Sequence, residues 1–101
     1  MTLGRPRNQL RNGYTESVTF TWAPAKAEAN LKKHGIDFRE AATVFDDSGS
    51  VAFPDADHSW GEQRYVVVGV SARGRLLVVA NVEVHANVIR IVSARDRKSV
   101  V

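Results

Sequence analysis

Glu62, Arg64 and Arg90 are the residues of this 101-residue chain whose types and spacing best suit chemistry. A planar guanidinium holds two phosphate oxygens at once, so paired arginines make an anion clamp. Arg90 lies between Ile89 and Ile91 in an apolar run. Strand alternation groups it with Val88 and Val92, facing away from both isoleucines. The same pattern also describes an arginine on a solvated sheet face, paired with Glu62 or Glu83. His58 sits in a polar loop with Asp55, Asp57 and Glu62. That set reads as an ordinary polar loop or as the start of a metal-dependent hydrolase. No pair in it has the spacing of a zinc or calcium motif, so the metal reading ranks last. His34 falls at a helix end, where a histidine complements the dipole. Lys26 and Lys33 share a polar helix face that solvent ordinarily wets.

The elements that must position these groups centre on Glu62–Val84. Tyr65–Val70 and Leu76–Val82 are Val-rich runs around Ser71-Ala72-Arg73-Gly74-Arg75. Valine packs well on a pleated surface, and Gly supplies the positive φ of a bulged turn, so the stretch predicts a hairpin at the centre of a sheet. Glu62 and Arg64 then project from one face. Earlier, Val18, Phe20 and Trp22 alternate with threonines as a half-buried strand. Pro24 opens a helix that Gly35 closes after His34, with Ala27, Leu31 and His34 on its apolar face and Lys26, Asn30 and Lys33 on the polar one. Asp37 caps a second helix, Glu40 has the capping-box spacing, and Ile36 with Ala41 the spacing of a hydrophobic staple. Val51–Phe53 predicts a short strand stopped by Pro54, and Val88–Ala94 the last one. The order β-α-α-β-β-β-β predicts an α+β domain. Its sheet is mostly antiparallel, of four to five strands, with two N-terminal helices on one face and a partly open second face. Residues 1–17 are expected to form a flexible arm, and 18–101 a single domain.

Composition narrows the classes. There is no cysteine, hence no disulfide framework or thiolate metal site. No apolar run nears the ~20 residues that span a bilayer, and the N-terminal arginines have no apolar region behind them, so a cytoplasmic protein without a membrane partner is expected. The formal charge of +3 is concentrated at the ends, with +2 over residues 1–16 and +3 over 90–101, against −2 between them. A polyanion would therefore be met by selected side chains rather than by a uniformly basic body.

The order of motifs carries more. Phe20-Thr-Trp22-Ala-Pro24-Ala-Lys26, Asn30-Leu-Lys-Lys33-His34-Gly35-Ile-Asp-Phe38 and Glu40-Ala-Ala-Thr-Val44-Phe45-Asp46 resemble the opening of BrnT-type toxins. Asp57-His58, Glu62-Gln-Arg64, Gly74-Arg75-Leu76 and Ile89-Arg90-Ile91-Val92-Ser93-Ala94-Arg95 continue the resemblance, over about residues 18–95. It implies a RelE-like fold and an endoribonuclease of a type II toxin–antitoxin system, working without a cofactor or metal. The implied partners are RNA and a BrnA-like ribbon-helix-helix antitoxin, through which alone the protein would meet operator DNA. In such chemistry Arg64, Arg90 and Arg95 would stabilise charge on phosphate oxygens, and Glu62, His58 or His34 would be the base or acid. Lys26, Lys33, His34 and Tyr65 would bind RNA, with Trp22, Trp60 or Tyr65 stacking a base, although the alternation of Trp22 with Phe20 favours a core place for it. The resemblance also leads one to expect a further charged helix after Arg95, where this chain stops at Val101. The alternative is therefore a catalytically weakened homologue that binds the antitoxin and acts as co-repressor.

Overall fold

The computed structural model describes residues 2–3, 18–55 and 61–97. Val18–Thr21 (β2) leads into helix α1 (Pro24–His34), helix α2 (Phe38–Thr43) and a 3-10 turn at Val44–Asp46. Val51–Pro54 (β3), Gln63–Val70 (β4), Leu76–His85 (β5) and Val88–Asp96 (β6) follow. Thr2–Leu3 (β1) pairs antiparallel with β2, and the sheet order is β1-β2-β6-β5-β4-β3. The rest of the N-terminal arm lies outside the described residues.

From β2 onward the element order is the one expected, and the fold is α+β. The sheet is mixed: β3, β4, β5 and β6 pair antiparallel in sequence, while β2 lies parallel to β6. Only strands joined by short turns are bound to be antiparallel. β2 reaches β6 across the whole domain and is free to run either way.

The local signals act as their chemistry requires. Pro24 stands at the start of α1, and Gly35 closes it with φ 71°, its N–H donating to Leu31 O at 2.9 Å. Asp37 Oδ1 accepts from the Arg39 N–H at 2.7 Å and caps α2. Ile36, Phe38, Ala41, Ala42 and Val44 join Val18, Phe20, Leu77, Val79, Ile91 and Ala94 in one buried cluster. Trp22 packs edge-on against Phe38, which makes it a core residue rather than a base-stacking one.

Two polar residues depart from their expected places. Asn30, assigned by periodicity to the polar face, is buried, and Leu31 is exposed instead. The Asn30 amide donates to Ala94 O (2.8 Å) and Ile36 O (3.0 Å), and its Oδ1 accepts from Ala94 N (3.0 Å). Glu40 makes no capping-box bond among those described. It is buried, receives Arg75 Nε at 2.9 Å with a second, shorter bond from Arg75 Nη2, and accepts from Ser71 Oγ at 2.7 Å. The capping-box spacing marked a residue that ties α2 to the β4–β5 turn.

Replacing Asn30 with Ala strands a buried N–H and two carbonyls, a loss of about 2–3 kcal/mol in urea unfolding. Glu40 predicts a pH dependence. The Arg75 guanidinium, helped by Ser71 and opposed by burial, holds its carboxyl below the ordinary 4.5. Its contribution is therefore complete above pH 4.5 and fades as pH falls through the lower folded value. The stability gap between wild type and Glu40→Gln is expected to be full at pH 7 and to close below pH 4.5, as read from urea midpoints.

Candidate functional site

The cleft is a product of strand register. Arg64 on β4 stands opposite Val82 on β5, Val82 opposite Arg90 on β6, and Arg90 beside Thr21 on β2. Directly paired residues point to the same side of a sheet. The row Thr21–Arg90–Val82–Arg64 therefore lies on one face, opposite the face that carries buried Phe20, Ile91 and Asn81. The two arginines rise from backbones about 10 Å apart, two strand spacings, over a buried valine. Glu62 shares their face, with Oε2 at 3.1 Å from Arg90 Nη2 and Oε1 at 3.9 Å from Arg64 Nη1. Of the two partners weighed for Arg90, Glu62 is the one it meets.

The start of α1 closes the end of the row. Ala23, Lys26, Glu62, Arg64, Val82, Arg90, Ile91 and Val92 line a cleft of about 270 Å³. Three cations thus face one carboxylate above an apolar floor. The Glu62 and Arg90 side chains are 37% and 44% exposed, so their pairing holds by only ~0–1 kcal/mol. An anion with two acceptor oxygens can displace it. No metal-ligand group of three His, Cys, Asp or Glu is found among the described residues.

The other expected site residues fall in three groups. Arg95 is five residues from Arg90, a separation that in a regular strand puts them on opposite faces. Val92 breaks the alternation: the register steps from Asn81–Ile91 to Ala80–Ser93, a β-bulge that returns Arg95 to the side of Arg90. Arg95 pairs with Val78, four β5 residues beyond Val82, so it stands about 13 Å along the face and does not line the cleft. Lys33 and His34 sit at the far end of α1, roughly 12 Å along the axis from Lys26, and are likewise outside the cleft. Tyr65 pairs with Asn81, which turns it to the face opposite Arg64, where its Oη donates to Gln63 Oε1 at 3.3 Å. His58, with Asp57 and Trp60, lies outside the described residues. The cleft thus gathers Lys26, Glu62, Arg64 and Arg90, together with Val82 and Val92, which composition and spacing did not single out.

A family model described as "Ribonuclease toxin, BrnT, of type II toxin-antitoxin system" matches residues 22–99. The chain belongs to this BrnT family. No curated protein matches it. The family match spans every residue lining the cleft, from Ala23 to Val92, and also Arg95. As a member of a type II family, this BrnT chain has an antitoxin for a partner. No helix among the described residues is long and apolar enough to cross a membrane.

The burial difference within the cleft predicts unequal stability effects. Glu62→Gln is expected to stay within about 1 kcal/mol of wild type, as befits a half-exposed ion pair. Val82→Ala removes two buried methyl groups and is expected to cost about 2 kcal/mol. Denaturant titrations of the two variants check the contrast.

Proposed function

We propose that this BrnT chain is an active endoribonuclease that cuts single-stranded RNA without a metal, acts in the cytoplasm, and is neutralised by a co-encoded ribbon-helix-helix antitoxin. The observation that carries this reading is the convergence of Arg64, Arg90 and Lys26 on Glu62 in one small cleft. The single core cluster and the β-α-α-β-β-β-β order support a RelE-like fold with both helices on one face of the sheet.

The chemistry follows from what each group can do. A phosphodiester seated between Arg64 and Arg90 replaces the Glu62 oxygens as their anionic partner. The released carboxylate accepts the proton of the ribose 2′-OH, and that oxygen attacks phosphorus. As the P–O2′ bond forms and the P–O5′ bond breaks, Arg64, Arg90 and Lys26 stabilise the charge gathering on the phosphoryl oxygens. The leaving 5′-oxygen takes a proton from an acid, for which protonated His58, four residues before Glu62, is the candidate. The products are a 2′,3′-cyclic phosphate and a 5′-hydroxyl. Arg95, on the same face, contacts the strand about two phosphates away from the cut. Lys33, His34 and Tyr65 stand outside this cleft, and a contact of theirs with RNA would belong to strand lying beyond it.

Purified protein is expected to cleave single-stranded RNA in EDTA, leaving cyclic-phosphate ends. Arg64→Ala and Arg90→Ala should each lower the rate by about 10²–10³, and Glu62→Gln by a similar factor, with growth arrest on expression relieved in parallel. Cleavage that EDTA abolishes would sink the metal-free route. RNA left intact by a folded wild type would instead support the non-enzymatic antitoxin-binding alternative.

A further inference from the structure

The second sheet face carries a feature that the cleft does not use. Val51 pairs with Val68, Val68 with Val78, and Val78 with Arg95. The next row runs Phe53–Val66–Ala80–Ser93, and Val70 pairs with Leu76 on the same side. Four of the protein's exposed large apolar residues fall in this one field: Val51 (49%), Phe53 (52%), Val70 and Leu76. No described helix or strand covers it, and β3 ends the sheet on this side. Contiguous exposed apolar surface of this kind marks an interaction site.

The margins decide the occupant. The field is bordered by the Arg64–Arg90 row at one end and by Arg95 at its β6 side, with Glu62 the carboxylate of that border. A second copy of this chain would bring the same cations against themselves, which like-charge repulsion opposes. RNA suits the arginines, but a floor of valines with Phe53 as its exposed ring offers bases little to stack on. A protein segment with aliphatic side chains on one side and carboxylates at its border satisfies both parts.

We infer that this face seats an amphipathic, acid-bearing segment of the antitoxin, its apolar side chains over Val51, Phe53, Val68, Leu76 and Val78 and a carboxylate on Arg95. The inference rests on the antitoxin half of the reading above and is independent of catalysis. A segment so placed abuts Arg64 and Arg90 and closes the mouth of the cleft. Neutralisation is then exclusion of RNA from the arginines.

The test uses the full chain and the antitoxin purified from the neighbouring reading frame. Hydroxyl-radical labelling of the wild-type side chains should fall at Phe53 and Leu76 when antitoxin is added, while exposed Leu31 on α1 labels as before. By calorimetry, Phe53→Gln, Leu76→Gln and Arg95→Glu should each bind antitoxin at least tenfold more weakly, with Arg95→Lys within about threefold of wild type. Melting curves of the free variants verify that they are folded. Unchanged labelling at saturating antitoxin, or unchanged affinity in all three variants, overturns the inference. So does protection produced by RNA alone, or by raising the protein concentration, since either assigns the face to a different occupant. RNA cleavage measured on the same preparations separates the two claims: intact RNA with a protected Phe53 removes the catalytic reading and leaves this one.

Discussion

One amide sets the frame. Asn30 reaches from α1 to the Ala94 backbone with both ends of its side chain, as a neighbouring strand would, and also holds the carbonyl of Ile36 between the helices. Buried backbone groups must find partners, and here three of them find the same side chain. A hydrophobic helix face packed on a sheet tolerates some rotation and sliding. A three-point polar contact does not, because each displaced bond leaves a buried group unsatisfied. Lys26 is one turn earlier on the same side of α1. The contact that orients the helix therefore also brings Lys26 to the rim of the arginine cleft, an ordering of polar groups that apolar packing would not specify.

The cleft itself depends on register, and register is secured at the opposite end of the hairpin. Ser71 N and O bond across the turn to Arg75 O and Gly74 N, while Ser71 Oγ and Arg75 converge on Glu40. Thr43 Oγ1 takes the Ala72 N–H, and Asp47 Oδ2 takes that of Val70. Gly69 passes so close to the 3-10 turn that a Cβ there would stand 2.8 Å from Ser50 Cβ and 2.9 Å from Val44 Cγ1. A slip of one residue would send Arg64 to the core side and bring Gln63 or Tyr65 to the cleft in its place. Contacts near Ser71 thus decide what faces Arg90 at the other end of the strands.

What was legible in the sequence was local. Pro24, Gly35 and Asp37 mark helix ends through bonds within a few residues, and the Val runs around Gly74 announce their hairpin by composition alone. Alternation also paired Glu62 with Arg64 correctly, and the same rule already turns Tyr65 away from them. What was not legible depends on partners far along the chain. Asn30 looked solvated because nothing near it in sequence reveals that Ala94 needs a partner 64 residues on. Glu40 matched a capping box, but its buried carboxylate is taken by the partly exposed Arg75 guanidinium, a charged donor stronger than a backbone N–H. The face shared by Arg90 and Arg95 hangs on one extra residue, Val92, and periodicity cannot show a bulge that only the partner strand defines.

Glu62 joins these observations to the chemistry. Two guanidinium groups flanking one buried valine repel each other, and a bridging carboxylate offsets that repulsion while the cleft holds no substrate. In the proposed reaction the same carboxylate would have to leave its arginines before a phosphate could enter, so every bit of preorganisation it provides would be subtracted from RNA affinity. Glu62 and Arg90 are more than a third exposed and the contact with the less exposed Arg64 is 3.9 Å long, which keeps this subtraction small. A deeper, better-desolvated pair would hold the arginines more rigidly, yet it would make the carboxylate a competitor that phosphate could not displace. In the mechanism proposed above, the half-open geometry is the compromise under which Glu62 would order Arg64 and Arg90 and still give them up, standing free beside the phosphate when a base is needed.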